Sequence, residues 1–248
     1  GTSLLALLAK GVSDERRAAA ATTVWLMMIF GFALTSGLAG KFLDPYAPEK
    51  VILISGVISV VAIAITSLAL YRLEGVDLEN KIINTNQKVP FKTALKEILT
   101  DPDTKRFTIF IFLSMLAFSA QDLILEPFAG IIFKYTLGET TSLSGIQHSG
   151  VLTGMLLVAV CGSSRLRRFF GSLRSWMIYG CLASALAMFG LVIAGILEGE
   201  WPLRLNVFIL GLANGAFSIA AIASMMRLAV VGGSGKEGVR IGLWGGAQ

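Results

Sequence analysis

The sequence predicts an all-α polytopic membrane protein, a bundle of about six complete transmembrane helices with a partial helix at each end. Three observations carry that expectation. The chain is 54% hydrophobic and only 15% charged, against about 25% charged residues in a soluble domain, and its mean hydropathy is +0.73. Its apolar runs are long and continuous, as a helix needs roughly 20 residues to cross about 30 Å of hydrocarbon. The alternating ten-residue segments of an outer-membrane barrel are absent. Finally, 17 of the 21 Lys and Arg residues fall in four loops, 10–17, 72–106, 162–175 and 227–240. With helices alternating in direction these loops share one side, which the positive-inside rule makes cytoplasmic or stromal. The net charge of +5 is thus a mark of bilayer orientation rather than of nucleic-acid binding.

Taken in order, residues 2–9 read as the tail of a preceding span and 11–17 as a charged loop. There Ser13 suits an N-cap, and Asp14 and Glu15 suit the positive end of the next helix. The first complete span is expected over 19–38, with Ser36 and Gly40 as a small-xxx-small pair for close helix approach. Residues 41–50, with Pro45 and Pro48, form a loop, and 51–70 the second span. The polar region 72–106 holds seven basic and six acidic residues. Within it 90–99 has a helical pattern: Phe91, Ala94, Leu95, Ile98 and Leu99 on one face, Lys92, Lys96 and Glu97 on the other. It suits a helix on the membrane surface or one packed against the end of the bundle. The chain therefore divides into the end of one helical half (1–71), a cytoplasmic linker (72–106) and a second half (107–248).

The third span starts at Phe107 and is uncharged to Ala120. Gln121, Asp122, Glu126 and Pro127 follow in a stretch still too apolar to have left the bilayer. A crossing counted from Phe107 ends near Glu126, which puts Asp122 in the last turn or so. Asp122 and Glu126 are four apart and share a helix face. A carboxylate in a bilayer is costly and is usually turned inward, towards a partner, a cavity or a ligand. The structural alternative is a helix-end polar cluster paired with backbone donors or Lys134. Pro127 could end or kink the helix.

The fourth span lies within 142–161 and carries Gly150 and Gly154. The fifth lies within 176–197, and the sixth, within 205–229, carries Gly211 and Gly215. Each GxxxG pair suits a helix contact or leaves room for a flat ligand. Asn206 and Asn214 suit interhelical hydrogen bonds. Arg165, Arg167, Arg168 and Arg174 make a basic cytoplasmic loop. Cys161 and Cys181 have neither metal-ligand nor redox spacing. No catalytic constellation or phosphate-cradling loop stands out, and no nucleotide or enzymatic activity is expected. The chain opens without Met inside an apolar segment and closes as another apolar run begins, as a piece of a longer protein would.

Spans on both sides of a long cytoplasmic loop match the middle of a twelve-helix, major-facilitator-type transporter built from two halves. The specific blocks are Asp101-Pro-Asp-Thr-Lys-Arg-Phe107, Phe112-Leu-Ser-Met-Leu-Ala117, Ala120-Gln-Asp-Leu-Ile-Leu-Glu-Pro-Phe128 and Gly138-Glu-Thr-Thr141. Together with Gly1-Thr-Ser-Leu-Leu-Ala-Leu-Leu8 and Trp25-Leu-Met-Met28, they resemble the PucC family. That is the bacteriochlorophyll-delivery branch of the major facilitator superfamily, with LhaA-type and cyanobacterial relatives. The resemblance covers nearly the whole chain. It implies a photosynthetic membrane, thylakoid or intracytoplasmic, and delivery of chlorophyll or bacteriochlorophyll to antenna or photosystem apoproteins. It makes Gln121, Asp122, Glu126 and His148 candidates for a pigment or polar pocket. His148, the single histidine, is then a candidate ligand for chlorophyll magnesium, since a neutral imidazole nitrogen can donate to it, and Gly145 and Gly150 would leave space for a planar ring. The competing readings are a proton-coupled transporter of a small solute, working through Asp122 or Glu126, and a structural subunit bound to a photosystem.

Overall fold

The computed structural model describes residues 17–71, 100, 102–161, 172–197 and 200–231. The expected helix at 90–99, the chain ends with their partial helices, and Arg165, Arg167 and Arg168 lie outside the described residues. Six helices make up the rest: α1 (Arg17–Leu43), α2 (Pro48–Leu70), α3 (Pro102–Ile132), α4 (Leu137–Cys161), α5 (Leu173–Ile196) and α6 (Leu203–Val231). All six are long and apolar enough to span a membrane, and the chain is an all-α polytopic membrane protein.

The helix starts follow local chemistry. Pro48 opens α2, where its missing N–H costs nothing, and Glu49 sits in the first turn against the positive end of the helix dipole. At α4, Thr136 and Glu139 form a reciprocal capping box. The Thr136 N–H donates to Glu139 Oε2 at 3.0 Å, and the Glu139 N–H donates to Thr136 Oγ1 at 3.2 Å. Ser172 caps α5 by accepting from the Ser175 N–H. Several hydroxyls within the spans are satisfied by their own helix: Ser114 donates to the carbonyl of Phe110, Thr141 to that of Leu137, and Ser149 to that of Gly145. Lipid offers them no water, so this back-bonding replaces it.

The helices group into two compact units. In the first, containing α1, α3 from Leu123 onward, α4, α5 and α6 as far as Arg227, α6 is the central element. Val207, Leu210, Ala213, Phe217 and Ala220 are all buried along it. One core layer joins Leu125 and Ala129 of α3, Leu143 of α4, Ala187 and Leu191 of α5, and Leu203, Val207 and Leu210 of α6. A second joins Ile29 of α1 to Met155 and Val158 of α4 and Ala216 and Ile219 of α6.

Close approach within this unit comes from glycine. A Cβ at Gly150 or Gly154 would collide with the carbonyl oxygens of Phe208 and Leu212. One at Gly211 or Gly215 would collide with those of Gln147 and Val151. The two GxxxG pairs thus face each other, and α4 and α6 meet backbone to backbone. On its other side α4 meets α1. A Cβ at Gly145 would lie 2.8 Å from the Gly37 nitrogen and 3.3 Å from Ser36 Oγ, and one at Gly40 would strike Ser142.

The second unit takes in α2 and α3 as far as Asp122. No residue of α2 is buried. Ile52, Val60, Ile63 and Leu68 are among its exposed side chains, so the helix is apolar on all sides, as a lipid-facing or partner-facing span must be.

Candidate functional site

The acidic pair lies further from the end of its helix than the residue count suggested. Helix α3 does not stop near Glu126; it continues through Pro127 to Ile132. Proline removes one backbone N–H and leaves the carbonyl four residues earlier without its usual donor, but the apolar residues beyond it keep the chain helical. At 1.5 Å per residue Asp122 sits about 15 Å, and Glu126 about 9 Å, short of the helix end.

Asp122 and Glu126 are both exposed, as are Leu123, Ile124 and Ile131, whereas Leu125 and Ala129 of the same stretch face the core. At i, i+3, i+4 and i+7, Asp122, Leu125, Glu126 and Ala129 nevertheless share one face of α3, so the acids are the exposed members of the face that carries the core residues, not of the apolar side with Ile124 and Ile131. Gln121 is half-buried.

The interior of the first unit carries neutral polar groups. The buried polar side chains among the described residues are Thr140, Gln147, Asn206 and Asn214. Asn214 Oδ1 accepts from the Ser184 hydroxyl at 2.7 Å, tying α6 to α5, and Asn206 Nδ2 donates to the Ala187 carbonyl at 3.0 Å. Both asparagines thus form interhelical hydrogen bonds.

His148 lies on the side of α4 shared with Ser144, Val151 and Met155, spaced at whole helical turns. Met155 is buried and the ring itself half-buried, while Thr153, Leu157 and Val160 face outward. Its Nδ1 is 2.8 Å from the Ser144 carbonyl oxygen. The Phe32 ring meets it edge-on, centroids 5.5 Å apart at 75°. The expectation that Gly145 and Gly150 leave room for a planar ring is overturned. Gly37 and Ser36 fill the space at Gly145, and Phe208, Gly211 and Leu212 fill that at Gly150.

A polar tie that the sequence did not single out sits where α1 ends and α4 begins. Thr136 Oγ1 donates to Asp44 Oδ2 at 2.7 Å, and Gly138 lies against Asp44 and the Gly40 carbonyl. The threonine-to-glutamate spacing of the capping box was the available signal; nothing in a single sequence pairs it with Asp44. Close by in sequence, Lys134 adopts a positive φ of 53° in the turn after α3, and Arg204 lies 5.9 Å from the Tyr135 ring centroid. Arg174 is exposed in the first turn of α5.

Compared with known proteins, the chain matches the family model described as "PUCC protein" over residues 1–248. The chain belongs to the PucC family. Among curated relatives, "Bacteriochlorophyll synthase 44.5 kDa chain" of Rhodobacter capsulatus is 46% identical over 254 residues, covering 100% of this chain and 56% of that protein. "Protein PucC" of Rhodobacter capsulatus is 24% identical, with 100% and 52% covered. "Protein PucC" of Cereibacter sphaeroides is 29% identical, with 91% and 47% covered. The chain spans about half the length of the curated relatives it matches. No solved structure matches it. Of the blocks that carry the PucC resemblance, 25–28 lies in α1, 112–117 in α3, 120–128 crosses the proline-containing part of α3, and 138–141 is the glycine-and-cap start of α4.

Proposed function

We propose that this PucC-family chain is part of a membrane protein that handles chlorophyll or bacteriochlorophyll and helps deliver it to the apoproteins of a light-harvesting or photosystem complex. The protein does this by binding and positioning rather than by catalysis. The observation that carries the reading is the chemistry of the packed interior. Its buried polar groups among the described residues are amides and a hydroxyl, Thr140, Gln147, Asn206 and Asn214. These suit helix association and an apolar cargo. A proton-coupled carrier of a soluble solute needs ionisable groups along an internal path, and the buried polar side chains among the described residues are all uncharged. The bacteriochlorophyll in the printed name of the 46% identical relative supports a tetrapyrrole as that cargo.

In this reading the helical segments 1–71 and 107–248 belong to two halves of a major-facilitator-type bundle joined by the linker 72–106. Loops 10–17, 72–106, 162–175 and 227–240 face the cytoplasm or stroma of a photosynthetic membrane, thylakoid or intracytoplasmic. Asp122 and Glu126, both exposed, are the polar contact that an acceptor apoprotein meets on α3. An assembly factor releases its product, whereas a structural subunit stays with it. The full-length protein, quantified in purified antenna and photosystem complexes, is therefore expected well below one copy per complex. It is expected to be enriched in assembly intermediates. One copy in every mature complex would replace this reading with that of a structural subunit.

A further inference from the structure

We infer that His148 is an axial ligand for the central magnesium of a chlorin, held by Nε2; the inference rests on the pigment-handling function proposed above. The argument begins at the other ring nitrogen. Nδ1 lies 2.8 Å from the Ser144 carbonyl oxygen, and a carbonyl only accepts hydrogen bonds. The neutral imidazole in this contact therefore carries its proton on Nδ1, which leaves the lone pair on Nε2. A metal-binding histidine is prepared in the same way, with one nitrogen fixed by a backbone acceptor and the other free to donate.

The surroundings narrow the kind of metal. Among the described residues no group of three or more His, Cys, Asp or Glu side chains could hold a metal ion. A lone imidazole cannot retain a bare divalent cation against water, because such ions need several protein ligands. It can retain a metal that arrives already chelated and lacks only an axial donor, as magnesium in a chlorin does. The adjacent surface has the matching character. The Phe32 ring touches His148 edge-on and is 50% exposed, and Met28, one turn away on α1, is 38% exposed. Apolar side chains beside a half-buried imidazole offer a flat, apolar ligand contact area together with a single polar anchor. The glycines at 145 and 150 do not contribute, since neighbouring helices occupy their space.

The test uses the full-length protein in lipid nanodiscs, titrated separately with chlorophyll a and with pheophytin a, its metal-free counterpart. Axial ligation predicts that the wild type binds chlorophyll a at least tenfold more tightly than pheophytin a, about the scale on which disturbed metal coordination shows. The variant His148→Phe, which keeps a ring beside Phe32, is expected to bring that ratio close to one and to leave pheophytin binding unchanged. Added imidazole is expected to restore the ratio in His148→Gly. Resonance Raman spectra of the wild-type complex, which need no variant to fold, are expected to show magnesium carrying an axial imidazole. A wild type that binds both pigments equally, or a His148→Phe protein that keeps the full preference, overturns the ligand assignment and leaves pigment handling standing. A wild type that binds neither pigment overturns pigment handling and the ligand assignment together.

Discussion

Replacing Gly154 by leucine is expected to abolish recovery of folded protein. The position has no slack: even a Cβ there would collide with the Leu212 carbonyl oxygen and come within 2.9 Å of the Ala216 nitrogen. Backbone cannot swing aside as a flexible side chain can, so α4 and α6 must separate. Separation would open the layer formed by Met155, Val158, Ala216 and Ile219. Overpacking a core typically costs about 1–3 kcal/mol and occasionally more. A side chain driven into a helix–helix backbone contact belongs at the upper end or beyond it, against a total stability of about 5–15 kcal/mol for a typical domain. The control is Gly130, within α3, where a Cβ meets nothing within 4 Å. Gly130→Ala is expected to be neutral or to stabilise by about 0.5–1 kcal/mol, because alanine is the better helix former. Thermal denaturation in detergent, followed by monodispersity, compares the two. Equal melting of Gly154→Leu and wild type would mean that the α4–α6 contact is not the one described.

The second large effect is expected from the double variant Asp122→Asn with Glu126→Gln. It keeps the shape of both side chains and removes both charges. A carboxylate in a bilayer costs up to about 2.5–3.5 kcal/mol on insertion scales, the upper figure applying at the centre, so the variant should insert at least as well as the wild type. If the pair meets an acceptor chain at α3, antenna or photosystem assembly should nonetheless fall to a small fraction of the wild-type level. Complex accumulation in a deletion strain carrying the variant, normalised to its amount in the membrane, is the measurement. Normal accumulation would make the pair structural only.

The helix number and type were legible in the sequence because length and apolarity are summed over twenty or more residues and survive local exceptions. The α3 end was not. Pro127 suited either an end or a kink, and α3 holds through it and ends only at Ile132. The exposure of Asp122 and Glu126 was also hidden. Their spacing placed them on one face of a helix with Leu125 and Ala129, but only the packing of those two against α5 and α6 shows which members of that face are buried. The glycine pairs were visible as motifs with two uses. Only the positions of Phe208 and Leu212 decided that Gly150 and Gly154 serve contact rather than ligand space. For His148 the sequence supplied a residue type; the Ser144 carbonyl and the Phe32 ring supplied its tautomer and neighbourhood.

The most direct measurement is the visible absorption spectrum of the full-length protein purified intact from pigment-synthesising membranes, before and after incubation with chlorophyll or bacteriochlorophyll. Pigment handling predicts chlorin bands that co-migrate with the protein and are shifted from those of free pigment. A monodisperse protein that carries no chlorin bands and acquires none on incubation would contradict it.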